Sequence, residues 1–450
     1  MQLFPPMLDV SDNEGFGERD LFKRAAFGAG LANLVASVNE PMVIALDGPW
    51  GSGKSTFLKM WAGHLRNDGF PVVYFDAFEN DYIDDAFSAI AGEIIALVDQ
   101  KKRRNTPQSR KFVRNAINAS KVIARSAIKV GITAATHGVV DGKVTDKVEE
   151  IISSEISALT DKYVGEAITK QAERRGKIEA FRLALKELPS ALGSTSPKTL
   201  TTKPLIFIID ELDRCKPVFS LEVLERIKHF FSVPNVHFIL GTDLIQLDNS
   251  VKSAYGSDIN SRTYLQKFIQ LSISLPDIVD VDDTKAGKAY AKWLTSKLKF
   301  ETDDQRYVGN CVDFIQRCAS GTNITLRDIE RIMTNIALTI AFTPANMCGP
   351  FPLIAGLCII RVISPANYQL IKTQKLNYKS AEALLGLNTG SRGRDNFTKE
   401  AVEVWRYCLD TVDKEITDRH DQGLFKFSLN SRIELLPHLA TNVVDKIARS

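Results

Sequence analysis

The residues in this chain best suited to chemistry are Gly48-Pro49-Trp50-Gly51-Ser52-Gly53-Lys54-Ser55-Thr56. The spacing Gly48-x4-Gly53-Lys54-Ser55 is that of a phosphate-binding loop. Glycines let a backbone close around phosphate oxygens with no Cβ in the way. The amides of such a loop converge on one anion, as unpaired N–H groups do at a helix N-terminus. In that reading Lys54 neutralises β/γ-phosphate charge and Ser55 offers its hydroxyl to Mg²⁺, so the expected ligands are ATP and Mg²⁺.

A second set of candidates lies far downstream. Pro204-Leu-Ile-Phe-Ile-Ile209 is the most strand-like run of the chain, and it ends in Asp210-Glu211. An apolar strand finishing in two carboxylates, after a phosphate loop, is a Walker B arrangement. Asp210 is then expected to hold Mg²⁺, usually through water, and Glu211 to polarise the attacking water as general base. Val236-His-Phe-Ile-Leu-Gly-Thr-Asp243 repeats the pattern of a strand and then polar residues. Asp243, with Thr242 in reserve, is therefore the candidate γ-phosphate sensor; the competing role for Asp243 is a helix cap. Arg327 and Arg331, one helical turn apart, are candidates to reach the γ-phosphate from a lid, against a solvated face shared with Asp328 and Glu330. Arg262, just before a fifth strand, is the candidate arginine acting in trans across a homo-oligomer interface. Its rival is Lys267, and the plain alternative is a surface pair with Asp258.

These side chains need a parallel sheet whose strands end at one edge, where ligands bind in open α/β folds. Five apolar runs suit it: Met42-Val-Ile-Ala-Leu46, Pro71-Val-Val-Tyr-Phe75, Pro204–Ile209, Val236–Thr242 and Gln270-Leu-Ser-Ile-Ser-Leu-Pro276. Each is short and partly β-branched, as buried parallel strands are. Thr56–Leu65 and Ala86–Val98 have helical spacing, as does Asp20–Val35. The Gly15–Arg19 turn before the last could bring Phe16 or Arg19 to an adenine ring, or serve packing alone. Asp76-Ala-Phe-Glu-Asn80 puts acids at the carboxyl edge of the second strand. After Asp283 the pattern is mostly helical, and Thr325 with Asp328 has the spacing of a capping box.

The chain of 450 residues has 44% hydrophobic and 25% charged residues, a globular balance. A formal net charge of +3 is too small to imply a polyanionic partner by itself. Six widely spaced cysteines include no CxxC pair, and are expected reduced in a cytoplasmic chain. Cys311 and Cys318 are expected on the core face of one helix. Met1-Gln-Leu-Phe-Pro-Pro6 has neither the basic nor the apolar region of a signal peptide.

Charge is local. From Lys101 to Val140 there are ten basic residues and no acid. Val113, Ala116, Ile117, Ser120 and Ile123 fall on one helical face, with Arg114, Lys121, Arg125 and Lys129 on the flank. Val122–Val140 has about the length of a membrane span. Arg125 and Lys129 would each cost about 2.5 to 3.5 kcal/mol at its centre, so spanning is not expected. The basic helix 110–129 suits an anionic surface peripheral to the inner membrane, nucleic-acid phosphates, or a solvated face packed on its own domain.

The motifs resemble those of the KAP P-loop NTPases. The resemblance rests on Asp47–Thr56, with Trp50 inside the loop, and on Ile209-Asp-Glu-Leu-Asp-Arg-Cys-Lys-Pro217. Leu224-Glu-Arg-Ile-Lys-His-Phe-Phe231, Phe238-Ile-Leu-Gly-Thr-Asp243 and Tyr264-Leu-Gln-Lys-Phe-Ile-Gln-Leu271 follow in order. It spans residues 10 to 340. Glu211 stands where the family often has Asp, Asp76-Ala-Phe78 where Asn-Ala-Trp is common, and the usual membrane pair is not evident. The resemblance implies a helical insertion and an ATPase that couples nucleotide state to partner proteins of a bacterial anti-phage defence system, or to assembly. One alternative is a slow-hydrolysing scaffold that recruits a nuclease or other effector; another is a small-molecule kinase, which Glu211 disfavours. The expected fold class is α/β: a five-stranded parallel sheet, a helical insertion between Walker A and Walker B, and an α-helical C-terminal lid and tail. The expected units are 1–100 (core, first half), 101–203 (insertion), 204–283 (core, second half), 284–345 (lid) and 346–450 (C-terminal helices).

Overall fold

The five apolar runs form one parallel sheet. Its strands are β1 (Met42–Asp47), β2 (Val72–Asp76), β3 (Leu205–Asp210), β4 (Val236–Thr242) and β5 (Leu271–Ser274), in the order β2-β3-β4-β1-β5. The structure, a computed structural model, describes residues 10–17, 19–83, 85–101, 105–135, 149–192, 203–276, 286–298, 302–321, 324–343, 349–387, 396–410, 416–417, 420–421 and 427–446. β3 and β4 are buried along their whole length, whereas the edge strand β5 is largely exposed. Register aligns the carboxyl ends: Asp76 faces Asp210, Asp210 faces Gly241, and Asp47 lies between Thr242 and Ser274.

Helices cover both faces. On one, α1 (Ala25–Ser37) and α2 (Lys54–Asn67) bury Leu31, Val35, Phe57, Leu58 and Trp61 against Ile44, Leu46, Ile206, Ile208 and Ile239. On the other lie α3 (Ala86–Gln100), α6 (Pro217–Arg226), α7 (Leu244–Tyr255) and the short α8 (Ser261–Leu265). The insertion adds α4 (Pro107–Ala135) and α5 (Glu149–Leu192), which pack on each other. Aromatic rings anchor them to the helical layer over the sheet: Phe181 of α5 lies 5.1 Å from Phe87 of α3 and 5.3 Å from Phe231 in the turn after α6, ring centre to ring centre.

The buried stripe of α4 is Ser109, Phe112, Ala116 and Ala119, while Ile117 is 46% exposed. It is rotated from the expected face because Phe112, the largest apolar side chain of this turn, seeks the ring of Phe181 at 5.6 Å. Arg114 and Lys121 are exposed, as expected of the flank. The side chains of Arg125 and Lys129, and residues 136–148, lie outside the described residues. No helix among the described residues is long and apolar enough to cross a membrane.

Helices α9 (Ala286–Leu298), α10 (Thr302–Gly321), α11 (Leu326–Phe342), α12 (Phe351–Ile363), α13 (Pro365–Lys372), α14 (Tyr378–Leu385) and α15 (Asn396–Leu409) follow the sheet. They share one hydrophobic cluster running from Tyr290 to Val444, with Phe314 and Trp405 inside it. Residues on both sides of position 345 belong to that cluster. Cys311 and Cys318 are buried in it from α10. Phe22, from the turn before α1, joins it too and so ties this helical mass to the mouth of the sheet.

Candidate functional site

The loop from Gly48 to Gly53 turns between β1 and α2, and at two of its glycines a side chain would be strained. Gly51 and Gly53 have φ of +81° and +84°, the left-handed region. Lys54 opens α2 and folds back, its ammonium donating to the Gly48 and Pro49 carbonyls. Burial lowers the Lys54 pKa, against the pull of Asp213, Asp243, Asp210 and Asp47. A phosphate in the loop would add negative charge beside the buried ammonium and favour its charged form. The Ser52 hydroxyl is buried in the loop with no hydrogen-bond partner among the described residues. A buried donor of this kind suits an anion.

Asp210 is 1% exposed. Its Oδ2 accepts from the Tyr74 hydroxyl at 2.6 Å and its Oδ1 from the Glu211 amide at 2.9 Å. Burial raises its pKa; the hydrogen bonds from Tyr74, Ser55 and that amide oppose the rise. Ser55 and Asp210 thus meet, although one comes from the loop helix and the other from β3. A hydroxyl and a carboxylate are hard oxygen donors, which fit Mg²⁺.

Glu211 has φ of +58°, an uncommon conformation for a residue with a side chain. Its amide also donates to the Gly241 carbonyl at 3.1 Å, which fixes the turn. Its carboxylate lies 2.7 Å from Arg214 Nη1. Burial raises the Glu211 pKa, with Arg214 acting the other way. In the same turn, buried Asp213 accepts from the Trp50 indole, so the phosphate loop and the carboxylate turn are latched together.

Lys54, Ser55, Asp210, Glu211, Asp213 and Trp50 line one cavity of about 230 Å³. Leu21, Phe22, Met60 and Tyr290 line the apolar remainder, and Arg327 and Glu330 of α11 close it. The lid is held on the loop by the Leu326 amide, which donates to the Gly51 carbonyl at 3.2 Å. Thr325 and Asp328 form the expected capping box at the start of α11.

The structure brings Gly51 to Thr56, Asp210, Glu211 and Arg327 to this cavity, together with Trp50. It does not bring Asp243 there: that carboxylate caps α7, accepting from Ile245 N at 3.0 Å. Cap geometry wins because the residue after β4 must satisfy the first free amides of α7. Thr242 is buried behind it, its hydroxyl without a partner among the described residues. Arg262 is exposed on α8, outside the cavity, and its charge acts on Asp248. Asp258 instead accepts from Ser257. Lys267 lies over the Tyr264 ring, and Arg331 is exposed away from the cavity. Arg19 lines the cavity, whereas Phe16 packs on Phe57. Asp76 turns to the Glu79 amide instead of this cavity.

Sequence reasoning missed two residues. Arg24, 3% exposed, lies over the Phe22 ring and donates to the Ser52 carbonyl at 3.3 Å and the Pro276 carbonyl at 3.2 Å. It ties the phosphate loop to the end of β5, and a lone arginine beside a helix start carries no signal of that. Tyr74 is the other; its one signal is a hydroxyl within an otherwise apolar strand.

The profile of the KAP family P-loop domain matches residues 24–342. An uncharacterized protein of Methanocaldococcus jannaschii is 37% identical over 93 residues, which cover 20% of this chain and 47% of that protein. The chain thus spans about half the length of the curated relative it matches. Among solved structures, the Aeropyrum pernix ORC2 protein in ADPNP–ADP complexes aligns over 98% of both chains at 10% identity, with a TM-score of 0.36. A DNA replication initiation factor aligns over 98% of both chains at 10% identity and 0.30. The replication initiator DnaA bound to AMPPCP and single-stranded DNA aligns over 96% of both chains at 10% identity and 0.26. Likenesses of that size carry no argument about ligand, partner or activity.

Proposed function

The chain belongs to the KAP family of P-loop domains, and we propose that it is an ATPase in which water attacks the γ-phosphate in line. The observation that supports this reading is the convergence of Lys54, Ser55, Asp210 and Glu211 on a single cavity. Lys54 and the loop amides hold the phosphates. Ser55 and Asp210 would hold Mg²⁺, which when bound neutralises charge spread over the phosphate oxygens. Glu211 accepts the proton of the attacking water. Arg327 reaches the γ-phosphate from the lid, and Asp243 acts on the charge of Lys54 from behind the α7 cap.

Two variants test this. Lys54→Ala is expected to abolish tight ATP binding, and unchanged affinity would overturn the phosphate-loop assignment. Glu211→Gln is expected to bind ATP and stop hydrolysis, since an amide takes no proton. Turnover equal to wild type would move the base elsewhere, with Asp213 next.

One contact favours the slow-turnover reading, a nucleotide-dependent scaffold. The pairing of Arg214 with Glu211 occupies the base in this conformation. A motor stimulated by its partner should turn over at about 1 s⁻¹ or faster, a scaffold far more slowly. Our reading of the biology follows the family resemblance: nucleotide state is coupled to partner proteins in bacterial anti-phage defence. Loss of protection in a phage-plating assay with Lys54→Ala is the outcome that reading requires. We also propose a homo-oligomer in which Arg262 completes a neighbour's site. Mixed oligomers of Arg262→Ala and Glu211→Gln subunits should then recover activity that neither has alone.

A further inference from the structure

Asp210 is the carboxylate on which the metal end of this site depends, and its orientation is set from the strand beside it. Tyr74 faces Ile208 across the β2–β3 pair, and Asp210 lies two residues further along β3. Side chains two residues apart along a strand share a face, and diagonal neighbours are within reach of a long aromatic side chain. The Tyr74 hydroxyl accordingly meets Asp210 Oδ2 at 2.6 Å, a charge-assisted hydrogen bond. The Glu211 amide holds Oδ1 from the opposite side at 2.9 Å. The bonded pair of oxygens fixes rotation of the carboxylate about its own axis, and Ser55 approaches the same group from the loop helix.

The phenol also stands at a boundary. Tyr74 lines a second, polar cavity of about 370 Å³, together with Lys59, Asp76 and Glu93. The Lys59 ammonium lies 5.9 Å from the ring centre. Without the hydroxyl, Asp210 Oδ2 loses this hydrogen bond.

We propose that Tyr74 is a positioning residue for the magnesium-ligating carboxylate of Asp210. This rests on the ATPase reading above. Partners that orient a ligating side chain are typically worth about 10- to 100-fold in metal affinity or activity. Tyr74→Phe keeps the ring and removes only the donor, so it isolates the contact.

The experiment is a titration of free Mg²⁺ into protein with ADP, followed by nucleotide fluorescence, alongside the same affinity in EDTA. For Tyr74→Phe, ADP affinity in EDTA should match wild type, and the Mg²⁺ half-saturation point should rise about tenfold. Asp210→Asn should lose the Mg²⁺ response altogether. If Asp210→Asn keeps it, the ATPase reading of this carboxylate fails. If Asp210→Asn loses it while Tyr74→Phe matches wild type, the role of Tyr74 fails and the ATPase reading stands. A Tyr74→Phe protein that does not fold is replaced by 3-fluorotyrosine at position 74, which preserves shape. Its fluorine resonance should then move when Mg²⁺ is added to the ADP complex. A resonance unmoved by Mg²⁺ would overturn the proposal.

Discussion

Gly241 of β4 has no side chain because two groups of the site already occupy the space one would take. A Cβ there would lie 2.4 Å from Leu58 Cδ1 and 2.5 Å from Asp210 Oδ1. Ordinary contacts between such atoms are about 3.5 Å, so each neighbour must withdraw by about 1 Å. Neither has room: Leu58 is 0% exposed and Asp210 is 1% exposed. Overpacking of this kind costs about 1 to 3 kcal/mol, and weakening a hydrogen bond to a buried charge adds to it. Gly241→Ala is therefore expected to lose about 2 to 4 kcal/mol of stability. Urea unfolding measures this, with Gly92→Ala as control. Gly92 lies on the exposed face of α3, and a Cβ there would meet nothing within 4 Å. That control should gain about 0.5 to 1 kcal/mol from helix propensity. Because the methyl pushes on both Asp210 and the helix that carries Lys54, Gly241→Ala should also weaken Mg²⁺-dependent nucleotide binding. A Gly241→Ala protein as stable as wild type, with its Mg²⁺ response intact, would refute the described packing around Asp210.

Two further perturbations probe the surroundings of the site. Thr325→Ala removes the acceptor for the Asp328 amide at 3.2 Å and should cost about 1 kcal/mol. Since the adjacent Leu326 amide holds the phosphate loop, nucleotide affinity should fall as well, and a calorimetric titration giving wild-type affinity would show that the cap does not seat the lid. Burial raises the Glu93 carboxyl above its ordinary 4.5. The folded state therefore holds that proton more tightly than the unfolded chain, and stability is lost as pH rises from 4.5 through the raised value. Glu93→Gln should be more stable than wild type at pH 7, with the gap closing below pH 4.5; a gap that widens on acidification would reverse the assigned sign.

Local chemistry explains what could be read from the residues in order. A left-handed loop needs Gly51 and Gly53, and a parallel strand buried on both faces needs an unbroken apolar run such as Leu205–Ile209. A capping box needs only Thr325 and Asp328 three apart. Each requirement is met by neighbours in the chain, so the phosphate loop, the five strands and the start of α11 were visible without coordinates. The insertion's helices were visible too, but not the stripe they bury. Ile117 and Phe112 fit a helical period equally well, and the choice fell to Phe112 because Phe181 and Phe87 stand where its ring can reach. Asp243 had two roles open to it, and the start of α7 took its carboxylate. The remaining parts of the site are meetings between distant segments. The strand order β2-β3-β4-β1-β5 puts Tyr74 diagonally beside Asp210, and Gly241 against it. Folding of the turn before α1 brings Arg24 to Ser52, and the latch from Trp50 to Asp213 joins two turns far apart in sequence. Side-chain hydrogen bonds of this kind depend on which strands become neighbours and how closely they pack, which no local residue pattern records.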